Sequence, residues 1–205
     1  FHAVRRASPA LGASVAVVGA GMIGQLVIQA ARLAGCGRLV AVDPDPARRE
    51  LAKRLGADHA LDPAAEDVSA RVRGLTEGRG ADCAFEVVGA ADPFRTAVAA
   101  VRKGGVVTLV GNLAPRVELP LQAVVTRELS LLGSCASSGE YPACLEMLAR
   151  GRIDVRPLLR EWRKMKGMAE EPLKAFRESG YTAKAEAERS AWKRWRTPRR
   201  TATPL

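Results

Sequence analysis

The run Gly19-Ala20-Gly21-Met22-Ile23-Gly24, and where it falls, constrains this chain more than any other feature. Directly before it, Ser14-Val15-Ala16-Val17-Val18 is apolar and β-branched and reads as a short buried strand. Directly after it, residues 22–34 place apolar side chains at helical spacing, and Gly35 stands where a helix stops. A strand passed to a helix through three glycines at this spacing has few solutions. Gly19 permits the tight turn. Gly21 has no Cβ, so the backbone can approach a diphosphate. Gly24 lets the helix lie close on the strand. The amides near Met22 and Ile23 then meet phosphate oxygens at the positive end of the helix. A glycine-rich turn without a ligand is the plainer alternative.

The rest of the chain continues the alternation. Residues 39–42 read as a strand ending at Asp43. Asp45 is an N-cap with Pro46 at the first helical position, opening a helix through about Leu55. Residues 59–61 form a third strand, 66–75 a polar helix and 83–88 a fourth strand. A helix over 92–101 follows, then a Gly104-Gly105 turn into a fifth strand, 106–110. Residues 129–132 read as a sixth strand, and a helix near 140–150 ends at Gly151. Strands and helices alternating at this spacing imply parallel βαβ units with right-handed crossovers. The fold expected is α/β, a doubly wound parallel sheet of order 3-2-1-4-5-6, the Rossmann fold. Its limits are expected at 11–159, with residues 1–10 as the remnant of a hinge or catalytic domain and 160–205 as a basic, poorly defined tail.

Asp43 closes the second strand 24 residues after Gly19. A carboxylate there can accept both hydroxyls of the adenosine ribose and would repel a 2′-phosphate, which favours NAD over NADP. The plainer reading is an acid at a helix start, in solvent. Arg48 and Arg49 lie close enough in sequence to hold a 2′-phosphate; Arg48 is read as flanking the adenine, with a solvated face as its alternative. Val88-Gly89 and Val110-Gly111 end the fourth and fifth strands, whose carboxyl ends face the crevice where the nicotinamide half of a dinucleotide belongs. Ordinary strand-end turns account for the same residues equally well.

Charge is unevenly spread. Residues 151–205 hold 15 Lys/Arg against 7 Asp/Glu, so they carry +8 of the net +10, and all three tryptophans lie there. The high overall charge therefore says little about the front domain. Cys36, Cys83, Cys135 and Cys144 form no CxxC pair, and His2 and His59 are isolated, so the spacing of a structural zinc site is missing. Free thiols in a reducing, cytoplasmic compartment are expected. No stretch approaches the roughly 20 apolar residues of a membrane span. The start at Phe1, without Met or a signal pattern, reads as a fragment start or a processed end.

Several stretches together resemble the medium-chain, zinc-dependent alcohol and polyol dehydrogenases, near the sorbitol dehydrogenase branch. They are His2-Ala3-Val4-Arg5-Arg6-Ala7, Val15 to Gly24, Ala41-Val42-Asp43, Leu55-Gly56-Ala57-Asp58, Gly80-Ala81-Asp82, Glu86-Val87-Val88-Gly89, Gly104-Gly105 with Val110-Gly111, Glu118-Leu119-Pro120 and Gly151-Arg152-Ile153-Asp154. The likeness runs over about residues 1–159. It implies a hinge helix at His2–Ala7 and NAD-linked oxidation of a secondary alcohol or polyol, with zinc polarising the alcohol oxygen. It implies a cofactor site lined by Ile23, Asp43, Arg48, Val110, Gly111, Asn112 and the stretch from Ser134 to Ala136. Relatives of the sorbitol type often carry Arg where Ala136 stands. The stretch Arg116 to Gln122 resembles the segment that pairs across a two-fold axis, so a homodimer or tetramer is expected of the intact protein. The family's zinc ligands and proton relay lie in an N-terminal domain before residue 1, so zinc is expected only there and this polypeptide alone is not expected to oxidise alcohols.

Beyond Arg156-Pro157-Leu158 the likeness fades. Pro172-Leu173-Lys174-Ala175-Phe176 faintly matches a family helix, and Lys184 a family lysine, but Ala185-Glu186-Ala187-Glu188 is no apolar strand. A reading-frame or assembly artefact, a diverged element and a basic appendage for anionic partners stand as alternatives for residues 160–205. The plainest reading is a solvated end. Neither a membrane nor a nucleic acid is expected as partner. Two function classes share every residue named: the cofactor half of a zinc-dependent NAD dehydrogenase, and a free-standing NAD-binding module without catalysis.

Overall fold

A computed structural model of the chain describes residues 1–159. Its sheet has six strands, all parallel, in the order β3-β2-β1-β4-β5-β6. They are β1 Ser14–Val18, β2 Arg38–Val42, β3 His59–Leu61, β4 Ala81–Glu86, β5 Val101–Leu109 and β6 Ser130–Gly133. Every residue of β1 is buried, as a central parallel strand covered on both faces requires. Side chains on a strand alternate between faces, so β1 feeds two separate cores. Val15 and Val17 join Ile28, Leu39 and Phe85 on one face; Ala16 and Val18 join Val40, Phe94 and Val107 on the other.

The first core is closed by α1 His2–Ala7, α2 Met22–Leu33 and α3 Pro46–Arg54, the second by α4 Val68–Leu75 and α5 Ala91–Ala100. Two further helices, α6 Leu121–Thr126 and α7 Tyr141–Ala149, flank β6 in sequence. Asp45 caps α3 by accepting from the Ala47 amide at 2.8 Å, with Pro46 in the first turn, and Asp67 caps α4 by accepting from the Ala70 amide at 3.0 Å. No helix of the described residues is long and apolar enough to cross a membrane.

Three local expectations shift. Strand β4 runs 81–86, not 83–88, because the Val88 and Gly89 amides turn to the Glu86 carboxylate instead of the ladder. Strand β5 begins at Val101, opposite Ala81, and absorbs the expected Gly104-Gly105 turn as a bulge before Val106 pairs with Cys83. Helix α6 lies where no helix was expected: it is short, it has no side-chain cap, and Val124-Val125 disfavour it locally. The expectations for residues 160–205 lie outside the described residues.

The amino ends of β1, β4 and β5 are tied by one carboxylate. Asp82 accepts from the Ser14 amide at 2.8 Å, the Ser14 hydroxyl at 2.7 Å and Arg102 Nε at 2.6 Å. Burial pushes its carboxyl up, but these partners outweigh it and hold the group at about 2. A carboxyl depressed on folding contributes stability that is complete above the unfolded value near 3.8 and is lost as pH falls towards 2. Asp82→Asn should therefore cost about 1–2 kcal/mol at pH 7, and less and less between pH 4 and 2. Urea unfolding of both proteins across that range measures it; a gap independent of pH would contradict the assignment.

Candidate cofactor site

At the carboxyl end of β1 the three glycines separate by cause. Gly19 sits at φ +98°, and a Cβ added there would lie 2.7 Å from Val88 Cγ2. A Cβ on Gly24 would lie 1.9 Å from the Gly19 carbonyl oxygen, so this glycine lets α2 sit against the loop. Gly21 has no such need: its φ is −69°, open to any residue, and a Cβ there would meet nothing within 4 Å. The bare backbone at Gly21 faces open space. Helix α2 starts beside that space without a side-chain cap and without an acid in its first turn. Uncapped first-turn amides at a twelve-residue helix, under a glycine that packing does not demand, fit a diphosphate.

Asp43 stands next to this loop at the end of β2, 4% exposed. Its Oδ2 accepts from the Ala20 amide at 2.8 Å, and its Oδ1 from the Asp45 amide at 2.9 Å. Each carboxylate oxygen can accept more than one hydrogen bond, so capacity for sugar hydroxyls remains. Arg48 places Nη1 3.8 Å from Asp43 Oδ2 and Nε 3.8 Å from Asp45 Oδ2, so its charge lies between two acids. Arg49 turns the other way, donating to the Asp43 and Pro44 carbonyls and pairing with Asp62 at 3.0 Å. Gln25, fully buried in α2, donates from Nε2 to the Ala20 carbonyl at 2.8 Å and to the Arg48 carbonyl at 2.9 Å. The glycine loop, the acid and the first turn of α3 thus form one bonded unit.

Beyond Ile23 lies a crevice of about 700 Å³, walled by Val87, Val110, Gly111, Asn112 and Ser134 among others. The loops after β4 and β5 meet backbone to backbone beside it, for a Cβ on Gly111 would lie 2.0 Å from the Gly89 nitrogen. Glu86, 2% exposed, sets this contact. Its Oε1 accepts from the Val88 and Gly89 amides, both at 2.8 Å, while its own carbonyl accepts from the Val110 and Gly111 amides.

Of the residues singled out from sequence, Gly19, Gly21, Met22, Ile23, Gly24, Asp43 and Arg48 gather at the ends of β1 and β2, and Val110, Gly111, Asn112 and Ser134 line the crevice with Ile23. Val88 is placed differently. It lies two residues past β4 and packs on Gly19, while Val87 lines the crevice. The parts sequence reading passed over are Gln25 and the carboxylates of Glu86 and Glu140. Glu86 was discernible, being an acid inside the apolar run from Cys83 to Val88. Among the described residues no group of three or more His, Cys, Asp or Glu is placed to hold a metal ion. The described residues do not fit a zinc site.

This loop, acid and crevice on a parallel sheet of this order define a Rossmann-type dinucleotide domain. A family model described as zinc-binding dehydrogenase matches residues 23–150, and the chain belongs to that family. It is 38% identical over 162 residues to a sorbitol dehydrogenase of Arabidopsis thaliana, covering 77% of this chain and 44% of that protein. Among solved structures it is similar to L-idonate 5-dehydrogenase of Escherichia coli, with TM-score 0.70, 30% identity, and coverage of 77% of this chain and 44% of that one. It is equally similar to a zinc-binding dehydrogenase of Sinorhizobium meliloti solved with NADP, with TM-score 0.70, 30% identity, and coverage of 75% and 46%. The chain thus spans under half the length of the relatives it matches.

Proposed function

We propose that this chain is the NAD-binding half of a dehydrogenase that oxidises a secondary alcohol or polyol. The observation that carries the reading is Gly21, a glycine that neither its backbone angles nor its neighbours require, set before uncapped helix amides. In this reading those amides hold the diphosphate and Asp43 accepts the adenosine ribose hydroxyls. Ile23, Val87 and Val110 exclude water from the nicotinamide end. Bound there, NAD supplies the hydride acceptor. NAD is preferred to NADP because a 2′-phosphate would sit against the Asp43 carboxylate, while Arg48 already has two acids for partners. In this reading the zinc site would lie in the part of the relatives' length that this chain does not match, and no alcohol turnover is expected from the 205 residues by themselves.

The same reading includes a homo-oligomer. Among the described residues strand β6 is the last of the sheet, and Leu113, Val117, Leu119, Leu121 and Val125, in the segment before it, are all exposed. Calorimetric titration of the chain with NAD tests the cofactor assignment. Saturable one-site binding, displaced by ADP, is expected; no binding at millimolar NAD would refute it.

A further inference from the structure

Helix α1 carries an imidazole to the crevice wall. His2 lines the crevice with Ser134 and Ile23, and its side chain is 15% exposed. Its Nδ1 lies 2.9 Å from Glu140 Oε1, a contact between residues 138 positions apart. Glu140 is buried at the N-cap position of α7, but its side chain bonds none of that helix's amides; instead the Ser138 amide donates to Oε2 at 2.5 Å and Arg5 reaches Oε1 at 2.5 Å. Burial pushes the Glu140 carboxyl up, but His2, Ser138 and Arg5 outweigh it and hold it at about 2. It is an anion at any working pH, and an anion only accepts. The Nδ1 of His2 must therefore carry a proton, and a neutral ring then keeps Nε2 as an acceptor. Among the described residues no group donates to Nε2.

An orienting carboxylate, an imidazole with one nitrogen committed, and a position on the crevice wall form a built arrangement. Most of the remaining wall is apolar, from Leu26, Val27, Val87, Leu109 and Val110, so an acceptor here selects for a ligand that brings a donor. The nicotinamide nucleoside brings two kinds, the ribose hydroxyls and the carboxamide amine. We infer that His2, oriented by Glu140, is a binding residue for the nicotinamide nucleoside, accepting a hydrogen bond from one of its donor groups at Nε2. This rests on the NAD reading above. Glu140 is a positioning residue, acting on the cofactor only through the tautomer and orientation of His2.

The test compares NAD, ADP-ribose and ADP, titrated calorimetrically into the wild-type chain, His2→Phe and Glu140→Gln. His2→Phe should weaken NAD about tenfold and leave ADP unchanged, since ADP lacks the second nucleoside. Glu140→Gln should give the same pattern at about three- to fivefold, because a neutral amide no longer dictates which nitrogen holds the proton. ADP-ribose weakened along with NAD assigns the bond to a ribose hydroxyl; ADP-ribose unchanged assigns it to the carboxamide, and either supports the inference. Equal losses for NAD and ADP would show that the pair only holds the fold together, which overturns it. So would unchanged NAD binding in both variants beside normal ADP binding, and that outcome leaves the NAD reading standing. Failure of the wild type to bind any of the three overturns both.

Discussion

Gly21→Ser is expected to leave the melting temperature of the chain within about 2 °C of wild type while weakening NAD by about 10- to 100-fold. Serine accepts φ −69° without strain, and its Cβ enters a space where no described residue other than its chain neighbours comes within 4 Å. It is also a good N-cap, so its hydroxyl would bond the first-turn amides of α2 that are meant for the diphosphate. Fold and site therefore part company at this residue. Gly24→Ala, three positions on, reverses the pattern. Its Cβ would lie 1.9 Å from the Gly19 carbonyl oxygen, a backbone atom that cannot move aside without shifting β1 against α2. Overpacking of this kind costs about 1–3 kcal/mol or more, about 3–10 °C in Tm for a domain of this size. Thermal melts and NAD titrations of the two variants make the comparison. A Gly21→Ser protein that melts as early as Gly24→Ala would make Gly21 a structural glycine and remove the main support for a ligand there.

Glu86→Leu should be the most damaging single change at the crevice. The carboxylate is 2% exposed and satisfies the Val88 and Gly89 amides. Leucine fills a similar volume and leaves both part-buried amides without that partner, at about 1–3 kcal/mol each. The Tm should fall by about 10 °C, in line with that sum. Glu86→Gln keeps one acceptor oxygen and should lose less than half as much. NAD binding should weaken in both variants, since the loop from Val87 to Gly89 abuts Gly111 and Asn112 in the cofactor wall. A Glu86→Leu protein that melts like wild type would show that water or a shifted loop satisfies those amides.

The sheet order was legible because its causes are local or nearly so. Buried β-branched runs, a capping Asp45-Pro46, and a glycine fingerprint at the first crossover each leave a mark within a few residues. The β1 and β2 end of the candidate site was legible for the same reason. What escaped depends on contacts made at a distance. Strand β4 stops early because a side chain competes with the ladder for two amides, and β5 starts early because Val101 finds Ala81 across the sheet. Helix α6 forms despite weak local preference, so its cause is tertiary. His2 and Glu140 gave no signal as a pair, because nothing in the chain between them announces that α1 returns to the loop after β6. Gln25 reads as one polar residue on an apolar helix until its two carbonyl partners are seen.

The most direct measurement is a parallel titration of the purified chain with NAD and NADP, repeated on Asp43→Asn. A buried carboxylate bonded to the glycine loop, in the proposed role of ribose acceptor, predicts that wild type prefers NAD by at least about tenfold. The substitution should weaken NAD and bring the ratio towards one, because it removes the charge that rejects a 2′-phosphate. Equal affinity of the wild-type chain for the two cofactors, or a ratio indifferent to Asp43→Asn, would contradict the site described above.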